Sequence, residues 1–223
     1  MQPLRDPRPT PDLKICGITD PEQAQAIAQM GVQAIGVIGV PATPRFVEPA
    51  QRRTLFQMLE EQHPLLHRVW VVANPDDAAL EEALNGVGQP SVVQLHGGES
   101  IECCQRLKQR YPRQQWWKAL RVREPDDLKQ LEHYAPHVDA LLIDAWSADQ
   151  LGGTGHRIPL DWLRETELPV PWWLAGGVSA EWVPELLRRV NPQGLDASSR
   201  LEERPGWKNL DKVQALVEAV KQG

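Results

Sequence analysis

Two short stretches near the C-terminal end carry the plainest chemistry. Leu174-Ala-Gly-Gly177 ends an apolar run, and Ser179 follows as the expected start of a helix. Leu195-Asp-Ala-Ser-Ser199 repeats the arrangement one unit later. Glycine at a strand-to-helix turn lets backbone N–H groups approach an anion, and the N-terminus of a helix adds about half a positive charge. Two such turns on neighbouring strands would form one phosphate cradle from Gly176, Gly177, Ser198 and Ser199. Either turn alone also reads as an ordinary connection with glycine there for steric reasons. Further polar groups fall at the ends of other apolar runs: Cys16, Arg45, Gln94, His96 and Asp144. The inventory is thus a thiol and an acid on different strands, a basic residue and an anion cradle. It contains no cluster of histidines and carboxylates at metal-ligand spacing and no G-x-G-x-x-G dinucleotide fingerprint. Each residue has a plainer reading as well. Cys16 reads as a buried strand cysteine, Asp144 as the cap of a loop, Arg45 as a surface arginine. His96 reads as a polar group satisfied beside a turn, and no proton transfer is assigned to it. Lys118, inside an apolar run, is a candidate Schiff-base lysine among several roles.

Those groups need a frame that brings many strand ends to one place. From Leu13 onward, short apolar runs alternate with helical patterns. Strands are expected over 13–16, 34–38, 67–73, 91–95, 116–120 and 138–143, followed by the two strand ends at 174–177 and 195–199 within 172–200. Runs such as Ala34-Ile-Gly-Val-Ile38 are apolar throughout, as suits a parallel strand covered on both faces. Thr19-Asp-Pro-Glu22 looks like a helix start, with a capping residue, proline in the first turn and then an acid, and Asn74-Pro-Asp-Asp77 starts the helix after the third strand. Helix is expected over 49–62, from Pro125, briefly near 159–165, and over 210–220. Pro41-Ala-Thr-Pro-Arg45-Phe-Val47 is too proline-rich for helix and forms a loop after the second strand. Eight strand–helix units without a long linker are the pattern of a (β/α)8 barrel, an α/β fold whose site lies at the C-terminal ends of the strands. A doubly wound open sheet is the structural alternative. The barrel is expected to occupy 12–223, after a Pro/Arg-rich, poorly ordered lead-in over 1–11.

Composition narrows the function classes. The chain has 223 residues, enough for one barrel of modest size. Its net charge is −6 with acids and bases interspersed, so no basic stripe suits nucleic acid. No apolar stretch reaches the ~20 residues of a membrane span, and residues 1–11 hold no apolar segment of a secretory signal. Three cysteines, two of them adjacent at 103–104, make neither a disulfide framework nor a metal motif, which suits a reducing cytoplasm. Nine tryptophans fall mostly in strands or on helix faces, where core packing accounts for them. No segment marks a subunit interface; oligomeric state stays open, with a monomer as the simpler expectation.

Five motifs in order also carry a family resemblance: Lys14-Ile-Cys-Gly17, Gln94-Leu-His-Gly97, Gly152-Gly-Thr-Gly155, Leu174-Ala-Gly-Gly177 and Asp196-Ala-Ser-Ser199. Together they resemble phosphoribosylanthranilate isomerases of tryptophan biosynthesis over about 13–212. Thr43-Pro-Arg45-Phe-Val also looks like that family's loop after strand two. The resemblance implies the (β/α)8 fold and an Amadori rearrangement of an aminoaldose phosphate to an aminoketose phosphate, with no cofactor. It places the general base on Cys16 and the general acid on Asp144. It puts the substrate's phosphate at Gly176, Gly177, Ser198 and Ser199, and its carboxylate at Arg45. Gln94, His96 and Gly155 are then further substrate contacts. The expected partner is a small phosphorylated substrate, not nucleic acid or membrane. Three positions depart from the family's pattern. Arg200 stands where glycine is usual, and would be awkward if φ > 0 were required. Asn209 stands where aspartate is usual. Gly39, where the family often has an aromatic, is expected to leave more room near the loop after strand two. Neighbouring phosphate-binding barrels such as indole-glycerol-phosphate synthase use Lys/Glu or Glu/Asp pairs instead of a thiol and an acid. A barrel that only binds a ligand is the non-enzymatic alternative, supported by Arg200 and Asn209.

Overall fold

The computed structural model describes residues 9–145 and 157–223. Eight parallel strands close into a barrel in chain order, the eighth pairing with the first: β1 (Asp12–Cys16), β2 (Ala34–Ile38), β3 (His67–Val72), β4 (Val92–Leu95), β5 (Gln115–Val122), β6 (Ala140–Ala145), β7 (Trp172–Leu174) and β8 (Gly194–Ala197). The helices around it are α1 (Pro21–Gln29), α2 (Pro49–Gln62), α3 (Asp77–Leu84), α4 (Ile101–Arg110), α5 (Lys129–Tyr134), α6 (Val183–Arg189) and α7 (Leu210–Gln222). The closed order excludes the open-sheet alternative.

Local chemistry accounts for the helix starts. The side chains of Asp20, Asp76, Ser100 and Asn209 accept from the backbone N–H three residues on, at 2.9, 2.8, 3.2 and 3.0 Å. Each satisfies a donor that the first helical turn leaves without a partner. Asn209 caps α7 as aspartate would, so that departure from the family's pattern is conservative in effect.

Strand alternation splits the buried residues into two layers. Leu13 and Ile15 of β1 face the helices, with Trp70, Trp116 and Trp172 from other strands. Cys16, Ala34, Val69, Val71, Val92, Trp117, Ala119, Ala140, Leu142, Trp173 and Ala175 face inward. The indoles of Trp117 and Trp173 lie 4.8 Å apart between ring centroids and fill the barrel interior. A side chain at Gly194 would collide with the Trp173 ring, so β8 begins with glycine beneath that indole.

Three expectations need correction. The helix expected at Ser179 begins at Val183. Pro184 has no N–H to donate and belongs in the first turn, which holds the start back; Ser179 to Trp182 form a preceding turn, with Trp182 N–H donating to the Ser179 carbonyl at 3.0 Å. The short helix near 159–165 is a single 3-10 turn, Leu160–Leu163, hemmed by Pro159 before it and by Pro169 and Pro171 after. Finally, Gly39 leaves no extra room: the Trp70 indole occupies the space that a β-carbon there would take. One element went unforeseen, a small antiparallel hairpin of β9 (Glu202–Arg204) and β10 (Trp207–Lys208) that crosses from β8 to α7.

Candidate active site

Several inward-facing side chains at the C-terminal ends of the strands are polar, while those deeper in are mostly apolar. Cys16 ends β1, Asp144 lies next to the end of β6, and Asp196 lies on β8. All three are buried, as are Gln94 and His96 at the end of β4. β1 and β6 are not neighbours in the barrel, so thiol and carboxyl stand across the mouth from each other.

Asp144 has a histidine beside it. His96 Nε2 lies 3.4 Å from Asp144 Oδ2, and His96 Nδ1 lies 3.1 Å from Gln94 Nε2. The ring therefore has the Gln94 amide on one side and the Asp144 carboxylate on the other. The plain reading of His96, a polar group satisfied beside a turn, holds at Nδ1, which meets Gln94, and not at Nε2, which has no hydrogen-bond partner among the described residues. Gln94 Oε1, His96 Nε2 and Asp196 Oδ1 are buried without a hydrogen-bond partner among the described residues. They are three of eight such buried side-chain atoms among the described residues.

Cys16 sits in a mixed field. Burial pushes its thiol above the ordinary value; Lys14 and Lys208 pull it down and Asp196 pushes it up. Lys14 is fully buried and pairs with Asp196 at 2.8 Å. Cys104 on α4 lacks such a setting: burial pushes its thiol up to about 12, and it packs in the core between barrel and helices.

Arg45 lies over the end of β1, where its Cδ would be only 2.7 Å from a β-carbon at Gly17. Its guanidinium is already engaged. Nε and one terminal nitrogen donate to the two carboxylate oxygens of Glu202 at 2.8 and 2.7 Å. The same carboxylate accepts from Lys208 Nζ at 2.8 Å and from the Gly206 N–H at 3.1 Å. Glu202 therefore gathers two cations at the mouth. Hydrogen bonds to Arg45 and both cations hold its carboxyl below the usual range, although burial opposes them. Neither Glu202 nor Lys208 was foreseen. Pro205-Gly206 was the available signal: it marks a hairpin turn, and the turn folds Glu202 and Lys208 back toward β1.

The two turns expected to cradle an anion are built differently from the expectation. Gly176 and Gly177 have φ of 92° and 68°, so both need the left-handed freedom of glycine. Trp173 and Leu174 pair with Gly194 and Leu195, so the two turns leave neighbouring strands. No long helix starts at either turn: α6 begins later, and only the 3-10 turn Ser199–Leu201 follows β8. Backbone N–H groups, not a helix dipole, are what these turns offer an anion. Ser198 Oγ donates to the Cys16 carbonyl at 2.9 Å and ties β8 to β1. Arg200 is exposed, and Asn74 is the only non-glycine residue with positive φ among the described residues, so Arg200 is unstrained. Lys118 is no Schiff-base lysine in waiting. It points away from the interior, pairs with Glu99 at 2.9 Å and donates to the Gly97 carbonyl at 2.8 Å. Gly155, with the motif at 152–155, lies outside the described residues.

Among the described residues, no group of three or more His, Cys, Asp or Glu is placed to hold a metal, and no helix is long and apolar enough to cross a membrane. Residues 13–219 match the family model of N-(5'-phosphoribosyl)anthranilate isomerase. The chain belongs to that family. N-(5'-phosphoribosyl)anthranilate isomerase of Thermosynechococcus vestitus is 44% identical over 207 residues, covering 92% of this chain and 87% of the relative. The crystal structure of phosphoribosyl anthranilate isomerase from Thermotoga maritima superposes with a TM-score of 0.80 at 28% identity, covering 96% of this chain and all of that one. Another solved phosphoribosyl anthranilate isomerase, in complex with reduced 1-(o-carboxyphenylamino)-1-deoxyribulose 5-phosphate, gives a TM-score of 0.76 at 28% identity, with the same coverage. As a phosphoribosylanthranilate isomerase, the chain is an enzyme of tryptophan biosynthesis that interconverts aldose and ketose forms.

Proposed function

We propose that this chain performs the Amadori rearrangement of N-(5-phosphoribosyl)anthranilate to 1-(2-carboxyphenylamino)-1-deoxyribulose 5-phosphate, with Asp144 as general acid and Cys16 as general base. The observation that carries the assignment is the placement of one carboxyl and one thiol, both inward-facing, on opposite sides of the barrel mouth. Asp144 gives its proton to the ribose ring oxygen as the anthranilate nitrogen expels it, which opens the ring and leaves an iminium at C1. The iminium makes the C2 proton acidic. The Cys16 thiolate takes that proton, and the C–H electron pair becomes the C1–C2 double bond of an enolamine. The enolamine then moves its hydroxyl proton to C1 and becomes the ketone. One proton is given and one taken, so the rearrangement balances without a redox partner.

Binding follows from the same geometry. Glu202 takes two of the five N–H donors of Arg45 and fixes the guanidinium plane, and the remaining donors serve the anthranilate carboxylate. Gly176, Gly177, Ser198 and Ser199 supply backbone N–H groups to the phosphate, while Gln94 and His96 line the space between the two ends. A small phosphorylated substrate of this kind suits a cytoplasmic enzyme.

The reading is tested by mixing the purified chain with N-(5-phosphoribosyl)anthranilate and following anthranilate fluorescence. Loss of fluorescence in proportion to enzyme supports it; a rate no faster than the enzyme-free control overturns it. Gly177→Val tests the phosphate cradle. A β-branched residue at φ 68° must rearrange the turn. Losing one charge-assisted hydrogen bond, worth about 1.5–3 kcal/mol, weakens substrate binding by about 10–100-fold. Inorganic phosphate should inhibit the wild type and hardly affect the variant. Equal inhibition of both would place the phosphate elsewhere.

A further inference from the structure

The base in this site is a buried thiol, and a buried thiol resists ionising. Something near Cys16 must favour the thiolate. Lys14 and Cys16 are two residues apart on β1 and share its inward face. Opposite Cys16 in the register stands Gly36. A β-carbon placed there would lie 2.8 Å from Cys16 Sγ and 3.2 Å from Lys14 Cε, so sulfur and lysine terminus flank the same point. Lys14 is fully buried, and its register partner Asp196 holds the ammonium at 2.8 Å. A lysine takes this position at a high desolvation cost unless it is paired, and the pair fixes Nζ beside the sulfur.

We propose that Lys14 is a positioning residue for catalysis: its ammonium, pinned by Asp196, is the charge against which the Cys16 thiol ionises. The inference rests on the assignment of Cys16 as base. The other groups around the sulfur do not replace Lys14. Lys208 on β10, bound to Glu202, also favours the thiolate but by less than Lys14, and Arg45 in the loop after β2 is engaged by the same Glu202 carboxylate. Asp196 on β8 opposes ionisation of the thiol by its charge, and Asp144 and His96 act on Asp196 from across the mouth. The positive charge of Lys14 favours the thiolate. Burial pulls the lysine's own value down, but the charges of Asp196 and Cys16 outweigh it and keep the ammonium protonated.

The test reads Cys16 directly. Alkylation of Cys16 by iodoacetamide is followed against pH by peptide mass spectrometry, which separates it from Cys103 and Cys104. Lys14→Met removes the charge and keeps most of the bulk. The pH midpoint for Cys16 alkylation should rise by about one unit or more, the scale of a nearby opposite charge. The acid limb of kcat should move up with it, while Lys14→Arg should stay near wild type in both readouts. If Lys14→Met does not fold because Asp196 is left unpaired, Lys14→Gln offers Asp196 a neutral donor and should show the same rise. A wild-type alkylation midpoint in the neutral variant overturns the proposal, whatever happens to turnover. Failure of the underlying assignment looks different: Cys16→Ser would then turn over at a near-normal rate while the alkylation midpoints still separate.

Discussion

Asp144→Asn is expected to lower kcat by about 100-fold to 10,000-fold, the usual span for removing a general acid, while product affinity changes little. Asparagine keeps the shape of the side chain and can still meet His96, which lies 3.4 Å from the carboxylate. What it loses is a proton that can be surrendered. The ring oxygen must gain a proton as its bond to C1 breaks, so the loss falls on the transition state and not on ground-state binding. An equal fall in kcat and kcat/KM is the signature of an interaction made only in the transition state. His96 does not replace the acid, because its ring is held by Gln94 and directed at Asp144. Rapid-mixing turnover together with a titration of the reduced product analogue checks both halves. A large loss of product affinity with an equal loss of turnover would make Asp144 a binding residue.

Cys16→Ser is expected to cost at least ~100-fold in kcat, again within the scale of acid–base groups. Serine fits the same space, but its hydroxyl ionises far less readily than a thiol. The cost also has a pH signature. Burial holds the Cys16 thiol above its ordinary value. Below that value the thiolate fraction grows about tenfold per pH unit, so the residual turnover of Asp144→Asn, in which only the thiol still titrates, should rise through neutral pH. Adding Cys16→Ser to that variant should abolish the rise. Near-normal turnover in Cys16→Ser would remove the thiol from the mechanism.

The barrel itself was legible because its local signals agree. Apolar runs long enough for one buried strand alternate with capped helices, and both Asp20 with Pro21 and Asp76 with Asp77 start helices as their types require. The strand ends were therefore legible too, and with them Cys16, His96 and Asp144. Pairing across the sheet was not. Lys14 and Asp196 are 182 residues apart, and only the closure of β8 on β1 brings them together. Lys14 reads in the sequence as a polar residue in a strand, and Asp196 as one letter of a serine-rich turn. The Glu202 clasp on Arg45 and Lys208 depends on a hairpin too short for periodicity to show, marked only by Pro205-Gly206. The start of α6 was misplaced because Ser179 resembles a cap, while Pro184 carried the stronger constraint. Gly39 misled for a related reason. Its missing side chain suggested space, but the Trp70 indole fills it from β3. Absence of a side chain shows only that something else stands there, and what that is depends on the fold.

The acid–base pair makes one demand that neither residue makes alone. Under the proposed mechanism the acid must still carry its proton when the base has lost its own. Single-turnover rate against pH, measured for the wild type and Asp144→Asn, tests this most directly. The wild type should give a bell whose two apparent values belong to the coupled pair. Its acid side reports formation of the singly protonated pair, and its alkaline side reports loss of the last proton. Asp144→Asn should be slow at every pH and should lose the alkaline fall, since only the thiol still titrates. A variant that keeps most of the wild-type rate and the same alkaline limb would contradict the account; Asp144 would then be the cap of a loop, and the acid would lie elsewhere in the mouth of the barrel.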